Sequence, residues 1–200
     1  MATYYLKTPI SEEEVKKLRV GDIIYISGIM VTARDTAHRR ILNYIKEGRP
    51  LPVDLKGGVL YHCGPVVRKT DDTWEVIAAG PTTSARMEPY EAEVIKNLGV
   101  RIIVGKGGMG AKTAEACKNY GAVYTVFTGG AGALAANAIK NVKRVEWLDL
   151  GIPDALWIFE VENFGPLLVT IDTTGKNLIA EVVERAKAKR EEILKKLGVL

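Results

Sequence analysis

The sequence predicts an α/β protein: a three-layer domain around a mixed sheet that is partly parallel at its centre. Three observations carry this reading. The middle of the chain alternates strand-like and helix-like runs, as parallel βαβ units require. Both flanks place strand-like runs one after another, which calls for antiparallel pairing. Several apolar runs end in glycine- or hydroxyl-rich turns, such as 80–84 (GPTTS) and 105–110 (GKGGMG), where a strand hands over to a helix. At 200 residues the chain reads as one domain, 1–200, long enough to bury a real core.

Ser11-Glu12-Glu13-Glu14 is a capping-box pattern and opens a short helix through about Leu18. Residues 22–33 (DIIYISGIMVTA) are β-branched and apolar enough for a strand or two. Residues 34–48 form an amphipathic helix, with Ala37, Ile41, Tyr44 and Ile45 along one side and Gly48 as its stop. Pro50 and Pro52 mark a loop. GGVLYHCG (57–64) and TWEVIAAG (73–80) read as strands joined by a polar turn at 69–72. Residues 88–97 are helical and stop at Gly99. Strand VRIIV (100–104), a helix at 111–119, strand AVYTVFT (122–128) and a helix at 131–140 follow. VEWLDL, ALWIFEVENF and PLLVTID are three further strands, and residues 176–197 close the chain as a helix laced with Glu, Lys and Arg.

A net charge of +4 without an Arg/Lys stripe favours small anions over nucleic acid. The N-terminus lacks a basic-then-apolar signal architecture. The uncharged stretch 119–139 is rich in Gly, Ala and Thr, so it reads as strand, turn and helix rather than a membrane span. The protein is expected to be cytoplasmic. Cys63 and Cys117 make neither a zinc pattern nor a disulfide framework. His62 and Cys63 are neighbours in a strand and point to opposite faces, so His62 is not placed to activate the thiol.

Gly105, Gly107 and Gly110 fit the G-x-G-x-x-G spacing of a dinucleotide turn. That reading, which would make the chain an NAD(P)-binding oxidoreductase domain, needs an acidic residue about 20 positions on. No Asp or Glu lies between Glu115 and Glu146, and no Arg until Arg144. The remaining reading is an anion smaller than a dinucleotide, met by the turn's amides, the helix dipole and Lys106. Two more clusters repeat the theme. In Thr32-Ala33-Arg34-Asp35-Thr36-Ala37-His38, Thr32 or Asp35 is placed to cap a helix, Arg34 sits at its positive end, and His38 falls one turn later. It either faces the same site or is satisfied on the helix flank. In the turn at 80–87, a helix starting at Thr82 or Thr83 puts Thr82 and Arg86 on one face. A hydroxyl with a guanidinium suits a carboxylate, because Arg binds carboxylates as a bidentate fork. Arg34, Arg86 and Lys106 gathered at one sheet edge would repel one another without a polyanion, which a dicarboxylate supplies.

T-A-R-D-T-A-H, G-P-T-T-S-A-R-M and V-G-K-G-G-M-G stand in the order found in iron–sulfur-dependent class I fumarases. The chain resembles their β subunit, or the C-terminal domain of the single-chain form, and is similar to the L-tartrate dehydratase β subunit. The resemblance covers about 6–193. It implies a swivelling β/β/α domain that closes over a 4Fe-4S cluster held by an α subunit, with Arg34, Arg86 and Lys106 binding substrate and Thr82 in proton transfer. Asp35, His38 and Thr83 would support them from behind. Three cluster thiolates cannot come from two cysteines, so the resemblance implies an α partner, as a heterotetramer of two α and two β subunits. The reaction implied is reversible hydration of fumarate to L-malate, with L-tartrate or a related hydroxy dicarboxylate as the alternative substrate. A catalytically silent regulatory subunit is the third possibility.

Overall fold

The computed structural model of the chain describes residues 1–71 and 73–199. Asp72, in the turn expected at 69–72, lies outside them. In chain order the elements are β1 (Thr3–Lys7), α1 (Glu12–Lys17), β2 (Ile23–Thr32), α2 (Asp35–Lys46), β3 (Val59–Tyr61), β4 (Val66–Lys69) and β5 (Trp74–Ala78). Then come α3 (Glu88–Leu98), β6 (Ile102–Gly105), α4 (Ala111–Tyr120), β7 (Val123–Val126), α5 (Gly132–Ala138), β8 (Ile139–Glu146), β9 (Leu156–Ile171) and α6 (Leu178–Lys196).

Seven strands form one mixed sheet in the order β1-β2-β3-β6-β7-β9-β8. The run β1-β2-β3-β6-β7 is parallel throughout. Long β9 lies antiparallel to β7 and also to β2, so the sheet curls until β2, β3, β6, β7 and β9 form a closed circuit of hydrogen bonds. Closure leaves none of those five strands as an open edge, while β1 and β8 stay outside the circuit, each paired on one side only.

Strand alternation sorts the core into two compartments. Val59 and Tyr61 of β3, Ile102 and Val104 of β6, and Val123 of β7 point to one side, joined by Ile24, Ile26, Trp157, Phe159 and Phe164. Hairpin β4–β5, α5 and β8 cover that side through Val67, Trp74, Ala135 and Val142. Leu60, Ile103 and Tyr124, one residue out of step, face the other side and pack against α2, α3 and α4 through Ile41, Val94, Ile95 and Cys117. Period-2 strands buried on both faces explain why these runs are continuously apolar. Among the described residues no helix is long and apolar enough to cross a membrane.

The α/β class and the mixed, partly parallel sheet agree with the sequence reading, and the capping box at Ser11 is formed in both directions. Several elements differ from it. Residues 3–7 are an edge strand. TWEVIAAG pairs with the short strand at 66–69 in a separate two-stranded sheet, not with the run at 57–64. The helix expected at 131–140 stops at Ala138, and the next strand is Ile139–Glu146, which takes in the first two residues of VEWLDL, while the last three, Leu148–Leu150, are a turn of 3-10 helix. Runs 155–164 and 166–172 are one strand, bent where Asn163 adopts a positive φ of 49°. Neither Thr32 nor Asp35 caps α2. Its N-cap is Arg34 without a side-chain bond, and the buried Thr32 hydroxyl instead accepts from the Trp157 amide at 3.1 Å.

Candidate active site

The C-terminal ends of parallel β2, β3, β6 and β7 lie side by side, the place where open α/β sheets usually bind ligands. Arg34 follows β2 directly. Its side chain is laid across Gly64, where a Cβ would come within 2.7 Å of Nη1 and 2.6 Å of the Pro153 carbonyl. Arg34 Nε lies 3.9 Å from Asp154 Oδ1, and both atoms are buried without a hydrogen-bond partner.

Asp35 opens α2 and takes the Arg86 guanidinium as a fork, with Nε donating to Oδ1 at 3.0 Å and Nη2 donating to Oδ2. Hydrogen bonding to Arg86 is the largest influence on the Asp35 carboxyl and holds it below the usual carboxylate range. The third corner of the guanidinium, Nη1, lies 3.4 Å from Thr82 Oγ1. Residues 84–86 are a 3-10 turn with Thr83 as N-cap, so Thr82 precedes the helical turn. The expected helix register is absent, yet the loop still brings Thr82 and Arg86 together.

Lys106 is stitched to the same loop by backbone bonds. Ser84 N donates to the Lys106 carbonyl at 3.0 Å, Lys106 N donates to Ser84 Oγ at 3.0 Å, and Thr83 forms a parallel bridge with Lys106. The lysine stem runs beside Gly129 of the next glycine turn, where a Cβ would lie 2.8 Å from Cδ. Arg34, Asp35, Thr82, Thr83, Arg86 and Lys106 are thus gathered at one edge. Their charge is less lopsided than the sequence suggests, because Asp35 and Asp154 stand beside the two arginines. Lys106 has no ion-pair partner among the described residues.

The N-terminus of α4 does not serve as the expected anion site. Glu88 already occupies it, accepting from Gly110 N at 2.6 Å and from Thr113 Oγ1 at 2.7 Å. An acidic side chain at a helix N-terminus meets both the free amides and the dipole, so the protein supplies its own anion there. Lys106 is left as the cationic part of the glycine turn.

His38 does not reach the site surface. It is 0% exposed, as are His62 and Glu91. Glu91 Oε2 lies 3.2 Å from His38 Nε2 and 2.8 Å from His62 Nε2. The other ring nitrogens reach the Arg34 carbonyl at 2.8 Å and Ser84 Oγ at 2.9 Å. Burial alone would raise the Glu91 carboxyl, but the two imidazoles, His62 foremost, outweigh it and the net direction is down. Burial lowers the His62 imidazole, and Glu91 recovers only part of that.

Both directions have the same consequence in acid. Below about 6.5 the unfolded chain takes up a proton at His62 that the folded chain resists, and below about 4.5 another at Glu91. Wherever the unfolded state binds more protons, stability falls as pH falls. The melting temperature of the chain is expected to drop as pH passes below 6.5 and more steeply below 4.5. Calorimetry across that range checks it. A melting temperature that rises on acidification would reverse the assignment.

Sequence reasoning missed Ser84, Glu88, Glu91 and Asp154, and read His62 only as a neighbour of Cys63. A serine and two glutamates in i, i+4, i+7 positions from Ser84 carry a faint signal, but nothing local tells them from a solvated helix face.

Among the described residues no grouping of side chains fits an iron–sulfur cluster. Cys63 lies in the apolar core, its thiol pushed up to about 12 by burial, and buried Cys117 is raised as well. Among the described residues the one grouping of metal-ligating type is His38, His62 and Glu91, with no thiolate. A 4Fe-4S cluster with one open iron needs three cysteine thiolates.

The chain matches the family model described as Fumarase C-terminus over residues 2–182. It is 46% identical over 192 residues to L(+)-tartrate dehydratase subunit beta of Escherichia coli (strain K12), covering 96% of this chain and 94% of that one. Identity to the putative L(+)-tartrate dehydratase subunit beta of Methanocaldococcus jannaschii is 44% over 191 residues, covering 95% of this chain and 98% of that one. A putative fumarate hydratase class I of Geobacillus stearothermophilus is 43% identical over 178 residues, which span 88% of this chain and 34% of that longer protein.

Proposed function

The chain belongs to the fumarase C-terminal family, and from that membership we propose that it is the β subunit of an iron–sulfur hydro-lyase acting on a four-carbon dicarboxylate. The observation that carries the reading is the gathering of Arg34, Arg86 and Lys106 at one sheet edge, with Thr82 Oγ1 3.4 Å from Arg86 Nη1. Two carboxylates match three cations, one of which, Arg86, already holds a carboxylate of the protein as a fork, while Arg34 lies 3.9 Å from Asp154 without a hydrogen bond to it.

The cluster belongs to an α subunit in this proposal, because the donor set here does not fit one. The assembly is a heterotetramer of two α and two β subunits in the cytoplasm. This chain contributes a half-site that is open to solvent: Arg86 is 46% exposed, consistent with a partner closing over it.

The chemistry asked of these residues follows from their placement. Arg86 grips one substrate carboxylate, and Arg34 and Lys106 hold the other. Arg34 Nε is a buried donor without an acceptor, a state that costs about 1–3 kcal/mol and that a substrate carboxylate relieves. The three cations also offset negative charge that builds on the carboxylate when the neighbouring carbon loses its proton. Thr82 is the group placed to handle that proton. Its contact with Arg86 favours it over Thr83, because a cation beside the hydroxyl lowers the cost of negative charge on Oγ1. Asp35 orients Arg86, and Thr83 fixes the loop against Lys106 through the backbone.

Reversible hydration of fumarate to L-malate is the first reading. The second, dehydration of L(+)-tartrate, is favoured by the names and full-length match of the relatives. The test is anaerobic co-expression with an α-type partner, followed by assays on fumarate, L-malate and L(+)-tartrate. Activity is expected from the complex and from neither chain alone. A partner fully active by itself would make this a regulatory subunit, and tight NAD(P)H binding by this chain would revive the oxidoreductase reading.

A further inference from the structure

The clamp is assembled from three separate segments, and something must fix their spacing. Arg34 sits at the start of α2, Thr82 to Arg86 in the loop before α3, and Lys106 at the end of β6. Direct bonds join the second to the first through Asp35 and to the third through Ser84. Behind them runs a second connection made wholly of buried side chains.

Its hydrogen positions follow from donor and acceptor chemistry. The Arg34 carbonyl can only accept, so His38 Nδ1 carries a hydrogen and donates to it. His38 Nε2 and His62 Nε2 both converge on Glu91 Oε2. With Glu91 ionised, both nitrogens donate, which makes His38 doubly protonated. His62, donating from Nε2, is the neutral tautomer that accepts at Nδ1 from the Ser84 hydroxyl. Ser84 Oγ in turn accepts from the Lys106 amide. The result is an unbroken run from Lys106 N–H through Ser84, His62, Glu91 and His38 to the Arg34 carbonyl.

We propose that Glu91, His62 and Ser84, together with His38, form a buried, charged hydrogen-bond chain that sets the distance between Arg34 and Lys106 and so the span of the dicarboxylate clamp. These are positioning residues; none touches the open face where substrate would sit. The inference rests on the clamp reading for its functional half. Its physical basis is independent of it. A carboxylate and an imidazolium at 0% exposure are poor contributors to stability compared with packed apolar groups, but they admit one geometry where an apolar cluster admits several. Both charges are used inside the chain. Glu91 faces His38 from α2 and His62 from the end of β3, and no other charged side chain forms an ion pair with it among the described residues.

Two measurements test this. The chain has only two histidines, so labelling this subunit alone with 15N-histidine in the assembled enzyme gives two imidazole signals. Expected at neutral pH are one ring with both nitrogens protonated, His38, and one neutral ring protonated at Nε2, His62. A His38 ring bare at Nδ1, or Nε2 atoms stripped of hydrogen as metal ligation would require, overturns the chain. The second measurement is kinetic. Glu91→Gln keeps shape and removes the charge, and Ser84→Ala removes the link to Lys106. Each is expected to raise KM and lower kcat/KM on the order of tenfold to a hundredfold, since small misplacements of binding groups have such effects. The double variant should lose no more than the worse single one, because either change breaks the same run. Losses that add, or melting temperatures that fall while KM stays normal, overturn the positioning role. The NMR readout needs no substrate, so failure of the chain is distinguishable from failure of the clamp.

Discussion

Arg86→Ala in the assembled enzyme is expected to lower kcat/KM by about a hundredfold or more, and Lys106→Ala by a similar factor. The magnitude is that of removing one preorganised donor aimed at developing charge. Arg86 is oriented before substrate arrives. Two of its corners are held by Asp35 and the third points at Thr82, so little reorganisation is needed at the moment of reaction. Its loss therefore removes a carboxylate contact and, at the same time, the cation next to the Thr82 hydroxyl. A fall in kcat as well as a rise in KM follows for Arg86→Ala, whereas Lys106→Ala acts chiefly through KM if its role is carboxylate binding alone. Arg86→Lys keeps the charge but not the fork, and should recover only part of the loss. Normal turnover in both alanine variants would remove the clamp assignment while leaving family membership untouched.

Each cation of the proposed clamp stands out in the sequence for the same physical reason. A strand must end at a turn, turns need glycine or hydroxyl residues, and a charged residue in such a turn has few structural uses. Arg34, Arg86 and Lys106 stand out on that ground alone. The pairing of these cations with counter-charges does not, because Asp154 meets Arg34 and Asp35 meets Arg86 across the fold, and pairing between distant segments leaves no local pattern. The same holds for Glu91, which reads as one more acidic residue on an amphipathic helix but is fully buried between two imidazoles. Errors in the elements also have local causes. The alanines ahead of Ile139 extend a helical pattern that the alternating IKNVKRVE run then replaces with β8. Asn163 and Pro166 look like a strand break, yet a positive φ at Asn163 bends β9 without ending it. That bend matters to the fold, since β9 must reach β8, β2 and β7 in turn to close the sheet.

The glycines of residues 105–110 yield the second large expectation, because the three that match a dinucleotide turn do three different things. Gly107 has a φ of +76°, and a Cβ placed on it would meet nothing within 4 Å, so it serves backbone conformation alone. An alanine there costs about 1–2 kcal/mol of left-handed strain with no clash. Gly110 makes room for the Glu88 carboxylate, which a Cβ would approach to 2.6 Å. Gly105 is the most constrained. A Cβ there would lie 1.8 Å from Ser84 Oγ and 3.0 Å from the Tyr124 hydroxyl, both part of packed, buried surroundings. The serine cannot swing clear without giving up His62 and the Lys106 amide. Gly105→Ala is therefore expected to destabilise the fold by about 1–3 kcal/mol through overpacking. It should also lower kcat/KM on the order of a hundredfold, since Lys106 is the very next residue and shifts with the loop. Gly107→Ala should keep most activity at a modest loss of melting temperature. Thermal unfolding and steady-state kinetics on the two variants side by side decide the matter. Equal effects at both positions would mean the glycines serve only flexibility, and wild-type behaviour of Gly105→Ala would mean Ser84 does not hold the lysine in place.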